Sequence, residues 1–542
     1  MDTFRRAATV LAAAMTLGAT GLRAQQPVPL LDNLGDHHYP ITTLVPLAQR
    51  YFDQGLRLYY GFNHAEAIRA FREAQRLDPL CAMCFWGEAI SYGPNINAAM
   101  DAESGRMAYE ALQKAISVKQ HASEREQALI DALAARYAAD PPEDRAHLDR
   151  AYADAMGALA RRWPDDIELG VLYAEALMDL RPWDYWTEEG ERRPEMADAF
   201  AYLERAVERD PTHPGACHFY IHAVEKEQPE LAVPCAERLA SLMPGAGHLV
   251  HMPGHIYIRV GRYLDAVETN RHAVHADESY IQDLRPGVGR YTAGYYPHNY
   301  DFLAFAAMMI GRSGESIGAT EKVLSLIPDE AFGTPGMDFL QHWSMRPLLV
   351  RIRFARWDEL LATPAPPADR LHATAIWHYA RGRALAATGD VAGARAELES
   401  LRRVAARPEL AELRMEFNRS TDLVAIAERV LTGMTEAASR RYGTAVEALA
   451  EAVRLEDALT YGEPPEWTVP VRLELGAVLL EAGRHADAER VFRESLEQFP
   501  QNGWGLHGLA TALRAQGRDR EAAQVEAELG EVWATADVAP SA

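Results

Sequence analysis

Two pairs of histidines are spaced four residues apart, the spacing that brings side chains together on one face of a helix. The pairs are His218/His222 and His251/His255. Two imidazoles at i and i+4 can hold one transition-metal ion, and a carboxylate from a neighbouring segment can complete the site. Imidazole and carboxylate ligands suit Zn, Cu, Fe or Ni. We therefore predict a transition-metal site, most simply Zn, Cu or Fe, at His218, His222, His251 and His255.

The segments that carry these histidines are helical, and the chain repeats one spacing of small and aromatic residues. Near the two ends this spacing reads Gly55, Ala67, Phe71, Ala74, Pro79 and Gly476, Ala488, Phe492, Pro500. Small residues let two antiparallel helices approach, the aromatic residue fills the gap between them, and the proline stops the second helix. No segment shows the alternating pattern of a strand. We predict an all-α chain of repeated helical hairpins.

These residues resemble the tetratricopeptide repeat, a helix-turn-helix unit of about 34 residues. The resemblance implies a right-handed superhelical solenoid, with roughly ten to twelve hairpins in a chain of this length. The whole sequence is also similar to a family of exported bacterial tetratricopeptide proteins that share the segments 37–40, 81–97 and 251–255, which implies fold and export only. A proline-rich break at 364–367 predicts an N-terminal solenoid over residues 25–362 and a C-terminal one over 363–542.

The same resemblance predicts which histidines face one groove, since positions 2, 5, 9 and 12 of each first helix line the concave surface of such solenoids. Both pairs fall at these positions on two consecutive units. Neighbouring units place further polar residues at matching positions. We predict these as additional ligands or as partners that orient the ligands: Glu175, Glu225, His248, His298, Asp301 and His342.

Two aromatic-rich insertions flank the histidine units. Residues 181–190 contain Trp183, Tyr185 and Trp186, and residues 287–297 contain Tyr295 and Tyr296. Aromatic residues in an inserted loop can form a lid or the wall of a ligand pocket. Packing of these loops on the edge of the solenoid is the alternative.

The N-terminus reads as a secretory signal peptide over residues 1–24. Arg5 and Arg6 precede an apolar run from Ala7 to Leu17, followed by small residues. The run is too short to span a bilayer, which needs about 20 apolar residues. We therefore expect a periplasmic or secreted protein without a membrane span.

Four cysteines are compatible with an oxidising compartment. Cys81 and Cys84 form a local disulfide, remain as buried thiols or take part in redox or metal chemistry, and a second bridge between Cys217 and Cys235 is possible.

The formal net charge of −23 argues against nucleic acid as a partner and favours cations. Three functions remain open. The first is a metal-binding solenoid that also takes a small ligand or peptide. The second is a metal-dependent hydrolase or oxidoreductase that uses the same cluster. The third is a plain scaffold with a peptide or protein in its concave groove.

Overall fold

The computed structural model describes residues 28–287, 289–332, 334 and 336–540. The helices of the first half are α1 (Pro46–Tyr60), α2 (His64–Leu77), α3 (Ala82–Ser91), α4 (Ala102–Val118), α5 (Glu124–Ala134), α6 (Ala146–Arg162), α7 (Ile167–Asp179), α8 (Ala197–Arg209), α9 (Pro214–Val224), α10 (Val233–Leu242), α11 (Gly247–His251), α12 (Pro253–Arg259) and α13 (Tyr263–Leu284). Those of the second half are α14 (Tyr296–Met309), α15 (Ser313–Leu326), α16 (Leu340–Trp343), α17 (Arg346–Arg353), α18 (Trp357–Ala362), α19 (Leu371–Ala387), α20 (Val391–Ala405), α21 (Ser420–Ala438), α22 (Tyr442–Asp457), α23 (Val471–Glu481), α24 (His485–Gln498), α25 (Gly503–Ala515) and α26 (Asp519–Val532).

The helices pair in sequence as antiparallel hairpins. When α11 with α12, and α16 with α17, are each taken as one interrupted helix, α1 to α26 form twelve hairpins. Across the described ranges the chain has no strand, only three isolated bridges. The predicted all-α solenoid of ten to twelve hairpins is confirmed.

Glycine and phenylalanine set the spacing of the helices as the sequence predicts. A Cβ atom on Gly55 of α1 would lie 2.7 Å from the ring of Phe71, and one on Gly87 of α3 would lie 2.3 Å from the same ring. In the C-terminal hairpins, Cβ atoms on Gly476 and Gly508 would lie 2.5 and 2.3 Å from Phe492. A larger residue at any of these glycines would push the neighbouring helix away.

Proline interrupts two first helices without removing their histidines from helical structure. Pro253 separates α11 from α12, and Pro347 lies in the first turn of α17. The linking residue Met252 keeps helical angles, with φ −50° and ψ −36°. The missing N–H of proline therefore bends the axis locally, and His251 and His255 stay close together.

Three distant segments fold back onto the middle of the chain. The turn between α1 and α2 packs against α9, where the His218 ring nitrogen Nδ1 lies 2.7 Å from the carbonyl oxygen of Tyr60. The loop between α22 and α23 reaches α12, and the Trp504 indole donates a 2.8 Å hydrogen bond to the carbonyl oxygen of Met308. The inner face around the histidines is therefore covered by the chain itself.

Cys81 and Cys84 form a disulfide at the start of α3, while Cys217 and Cys235 are buried free thiols on α9 and α10. The predicted signal peptide lies outside the described residues. No helix among them is long and apolar enough to cross a membrane. Residues 363–370, at the predicted boundary between the two solenoids, are not helical.

Candidate metal centre

Six histidines from three consecutive hairpins converge on the inner face. They are His218 and His222 on α9, His248 and His251 on α11, His255 on α12, and His298 on α14. The first five are at most 3% exposed, and His298 is partly buried. The predicted groove histidines therefore lie together, in an enclosed cluster rather than along an open groove.

The cluster contains a first histidine set, which consists of His218, His222 and His248. One potential ligand atom from each lies within 4.8 Å of the others. Within the described chain, Nε2 of His218 and both ring nitrogens of His222 and His248 are buried without a hydrogen-bond partner. Because Nδ1 of His218 donates its proton to the carbonyl oxygen of Tyr60, its Nε2 carries a free lone pair. Burial, followed by the neighbouring histidines, lowers the pKa of His218 and His248 well below the ordinary value.

A second histidine set consists of His251, His255 and His298, and also lies within 4.8 Å. Nδ1 of His251 donates to the side-chain oxygen of Asn270 at 2.8 Å, which leaves Nε2 as an acceptor. That Nε2 lies 2.9 Å from Nε2 of His255. Two ligands of a tetrahedral zinc ion are about 3.3 Å apart, so 2.9 Å is the distance of a hydrogen bond rather than of two zinc ligands. The four predicted ligands thus divide between two sets, each with a third histidine.

Two carboxylates contact the same ring nitrogen of His255. Its Nδ1 lies 2.9 Å from Oε2 of Glu225 and 3.1 Å from Oε2 of Glu463. Burial lowers the pKa of His255, but Glu225 and Glu463 more than offset this effect and raise the pKa to about 9. His255 is therefore an imidazolium that donates from Nε2 to His251 and forms ion pairs with the two carboxylates through Nδ1. The carboxylate of Glu225 also lies 3.6 Å from Nδ1 of His222, so that His222, Glu225 and His255 form a third group, the bridging set.

Aromatic rings cover the first histidine set. The centroid of the Phe62 ring lies 4.5 Å from that of His218 and 5.3 Å from that of His248. Trp183 meets His222 edge-on at 5.1 Å, and its indole donates to the side-chain oxygen of Asn97 at 3.1 Å. Tyr295 lies 4.5 Å from His248. The two insertions thus supply Trp183 and Tyr295 to the wall of the site.

Several other predicted residues have different partners. Glu175 accepts a 2.6 Å hydrogen bond from the Tyr59 hydroxyl, and Asp301 pairs with Arg346 at 3.1 Å. His342 bonds His372 at 2.9 Å. These three side chains are absent from the three sets above because their helices turn them toward other hairpins.

The remaining aromatic residues of the insertions do not contact the histidines. The Trp186 indole donates to the carbonyl oxygen of Ala223 at 2.9 Å, and Tyr185 is buried beside it in the same loop. The Tyr296 hydroxyl donates to Glu278 at 2.9 Å. Packing within the solenoid accounts for Trp186 and Tyr296.

A separate group lies on an open cavity of about 810 Å³ near the N-terminal segment. Nε2 of His37 and Nε2 of His213 lie 3.2 and 3.3 Å from one carboxylate oxygen of Glu168. Nδ1 of His213 accepts a hydrogen bond from the backbone N–H of Ala216, so its Nε2 carries the proton and donates to Glu168. This group is therefore a hydrogen-bonded cap of α9 and is a poorer metal site than the first histidine set.

Phe62 and Glu463 were not predicted as site residues. Phe62 lies in the turn of the first hairpin, and Glu463 lies in the segment 458–470 between α22 and α23. The only sequence signal for Glu463 is that this proline-containing segment interrupts the repeat spacing. Nothing in the sequence indicates that either segment contacts the histidine hairpins.

The sequence matches the family model of the tetratricopeptide repeat over residues 479–531, which span the end of α23 and most of the last three helices. No curated protein sequence matches. Solved structures with similar helical arrangements include a human IFIT1 dimer with m7Gppp-AAAA, at 12% identity and a TM-score of 0.33, covering 90% of this chain and 91% of that one.

The domain of P58(IPK) that carries such repeats is 12% identical with a TM-score of 0.22, covering 88% and 99%. Yeast Tom70 is 13% identical with a TM-score of 0.28, covering 88% and 90%. TM-scores this low carry no argument about function. Residues 479–531 therefore match a tetratricopeptide repeat, and twelve stacked helical hairpins continue the same kind of helical arrangement along the described chain.

Proposed function

We propose that the protein is an exported tetratricopeptide scaffold that holds one transition-metal ion through His218, His222 and His248. The observation that carries the proposal is the convergence of buried imidazole nitrogens that lack a hydrogen-bond partner in the described chain. A buried polar atom without a partner costs roughly 1–3 kcal/mol. A bound ion would satisfy one nitrogen of each ring at once.

The chemistry of the three rings fits such an ion. Metal ligation requires neutral imidazoles, and burial keeps all three neutral by lowering their pKa values. The backbone carbonyl of Tyr60 orients His218, as second-layer acceptors orient metal-binding histidines elsewhere. Imidazole ligands favour Zn, Cu or Fe.

The number of ligands also supports a second candidate function, a metal-dependent hydrolase. Three protein ligands leave a fourth position for water, and this is the arrangement of catalytic zinc sites. A metal-dependent hydrolase would cleave an activated ester in a Zn²⁺-dependent manner, and the His248→Ala variant would lose that activity. If the protein retains Zn²⁺ but shows no such turnover, metal binding is its function and the hydrolase candidate is wrong.

Export rests on the predicted signal peptide and is supported by the Cys81–Cys84 disulfide, since intramolecular disulfides persist in oxidising compartments. Tetratricopeptide proteins commonly bind peptides or proteins. Such a partner would use a surface other than the histidine cluster, because the histidines of the first set are at most 3% exposed.

Elemental analysis of the untagged, exported protein, purified without chelator, tests the proposal. We expect close to one Zn, Cu or Fe per chain, and loss of that metal in the His222→Ala variant. His507→Ala is the control, because His507 lies on α25 in the C-terminal hairpins. A metal-free protein that also fails to take up Zn, Cu or Fe would overturn the proposal, as would equal retention in both variants.

A further inference from the structure

A continuous line of buried polar atoms leads away from the first histidine set. Along this line six side-chain atoms have no hydrogen-bond partner in the described chain. They are both ring nitrogens of His222, both carboxylate oxygens of Glu225, Nδ1 of His255 and Oε2 of Glu463. The four residues are at most 7% exposed. The atoms contact one another as ion pairs without aligned hydrogen bonds, and a row of such polar atoms indicates a path that ions or water can occupy.

The line ends at a cavity of about 300 Å³ between α12 and the segment 458–470. Acidic side chains outnumber basic ones in its wall. The ionisable residues of the wall are Glu227, Glu456, Asp457, Glu463 and Glu466 against Lys226 and Arg259. An acidic cleft with low-dielectric walls concentrates cations from solution.

Glu463 belongs both to the cavity wall and to the histidine cluster. Its Oε1 accepts a hydrogen bond from the Tyr461 hydroxyl and lies 3.7 Å from Nε of Arg259. These contacts hold one oxygen and leave Oε2 directed at His255, with 3.1 Å between Oε2 and Nδ1. One carboxylate therefore connects the cavity to the first imidazole of the path.

The next two contacts continue the path from His255 to His222. Nδ1 of His255 lies 2.9 Å from Oε2 of Glu225, and Oε1 of Glu225 lies 3.6 Å from Nδ1 of His222. The bridging set of His222, Glu225 and His255 has ligand atoms within 4.8 Å and is close enough to hold an ion once the His255 imidazolium has released its proton to water in the cavity. His222 is shared with the first histidine set, so an ion can move between the sets by exchanging ligands one at a time.

On the side of His222 that faces Trp183, aromatic rings line the approach. There Trp183 covers the imidazole, and the Phe417 ring lies 5.8 Å from that of Trp183. Aromatic rings provide no oxygen or nitrogen lone pair to replace the water shed by a divalent ion, which is costly in a low-dielectric environment. The side of Glu463 supplies such a ligand at every step.

We propose that divalent transition-metal ions load the first histidine set through this acidic cavity, with Glu463 as the access residue and the bridging set as a transfer site. The inference rests on the proposed metal-binding function. In this proposal Glu463 controls the rate of metal loading and is not a ligand in the final site.

Stopped-flow uptake of Zn²⁺ by the chelator-stripped full-length protein, followed with a zinc indicator, tests the route. We expect Glu463→Gln to slow uptake by about tenfold or more, within the range by which focusing of charge changes association rates. The final Zn²⁺ stoichiometry stays at the wild-type value, and chelator-driven release slows by the same factor because the barrier rises in both directions.

Two variants serve as controls. Glu463→Asp keeps a carboxyl group at this position and should restore most of the rate, which a merely structural role would not predict. Glu456→Gln changes another buried acid of the same wall, one that bonds the backbone N–H of Val471 and whose pKa burial raises to about 8, so it is mostly uncharged at pH 7. We expect wild-type uptake by Glu456→Gln.

Wild-type uptake by Glu463→Gln would overturn the route while leaving the metal site intact. A lowered final stoichiometry in that variant would also overturn it, since Glu463 would then be a ligand. Absence of Zn²⁺ uptake by the wild-type protein would overturn the metal-binding function itself.

Discussion

Two groups of buried histidines in this chain differ in how their ring nitrogens are satisfied. In the pair His342/His372, all four nitrogens have partners. Nε2 of His342 donates to the carbonyl oxygen of Glu466 at 2.8 Å, Nδ1 of His342 accepts from Nε2 of His372 at 2.9 Å, and Nδ1 of His372 lies 2.8 Å from the Ser420 hydroxyl. In the first histidine set, five nitrogens have no such partner in the described residues.

Burial and titration do not separate the two groups. Burial lowers the pKa of His372 to about 3 and that of His222 well below the ordinary value, so both groups are neutral. The two groups differ in how many of their ring nitrogens have hydrogen-bond partners. A histidine with both nitrogens bonded to protein is a structural link, whereas one whose neutral nitrogens face other imidazoles has a place for a ligand.

The largest effect that tests this difference is on metal affinity. His248→Ala removes one of the three proposed ligands, and we expect the dissociation constant for Zn²⁺ to rise by at least about 100-fold, beyond the usual cost of losing a second-layer partner. His251→Ala should raise it by about tenfold or less, because His251 bonds Asn270 and His255. Titration of each variant against a chelator of known affinity measures both values.

A similar loss of affinity in both variants would return His251 to the ligand set and remove the distinction between the first and second histidine sets. This is the arrangement that the sequence predicted, with His218, His222, His251 and His255 on one ion.

Replacing a histidine of the pair His342/His372 should lower stability without affecting metal binding. His372→Ala leaves Nδ1 of His342 without its donor, and an unpaired buried group costs about 1–3 kcal/mol of the free energy of unfolding. Zn²⁺ stoichiometry should not change. Chemical denaturation and elemental analysis of the same sample check the two results together, and loss of metal with retained stability would contradict the assignment of this pair as structural.

The helical hairpins could be predicted because their determinants are local. Gly55 must face Phe71, and Gly476 must face Phe492, at fixed sequence offsets for two helices to pack. The pairs His218/His222 and His251/His255 were predictable for the same reason, since four residues make one turn of helix.

The division of the histidines into two sets could not be predicted in this way. It depends on how α9, α11 and α14 pack against one another, because His248 joins the histidines of α9 whereas His251 joins His298 of α14, and short-range spacing does not encode this packing. Phe62 and Glu463 join the cluster from distant hairpins because the solenoid closes on itself. Such long-range contacts leave no periodic pattern in the sequence.

The smallest predicted effect concerns Glu456, a buried carboxyl group that stays mostly protonated at pH 7. Burial is the main cause that raises the pKa of Glu456 from 4.5 to about 8; Arg472 lowers the pKa and Asp457 raises it. Below pH 4.5 the carboxyl is protonated in both the folded and the unfolded chain. Between the two pKa values only the folded chain holds the proton, so stability falls as the pH rises through this window and levels off above about 8.

Glu456→Gln removes this dependence, because the amide is neutral at every pH and keeps an oxygen for the N–H of Val471. We expect the difference in unfolding free energy between variant and wild type to grow in favour of the variant by roughly 1 kcal/mol from pH 6 to pH 7, since one pKa unit corresponds to about 1.4 kcal/mol. Urea denaturation of both proteins at the two pH values measures the change. A constant difference would mean that Glu456 is already ionised in the folded protein. It would then be a charged residue of the cavity wall, and its replacement should slow Zn²⁺ uptake as well.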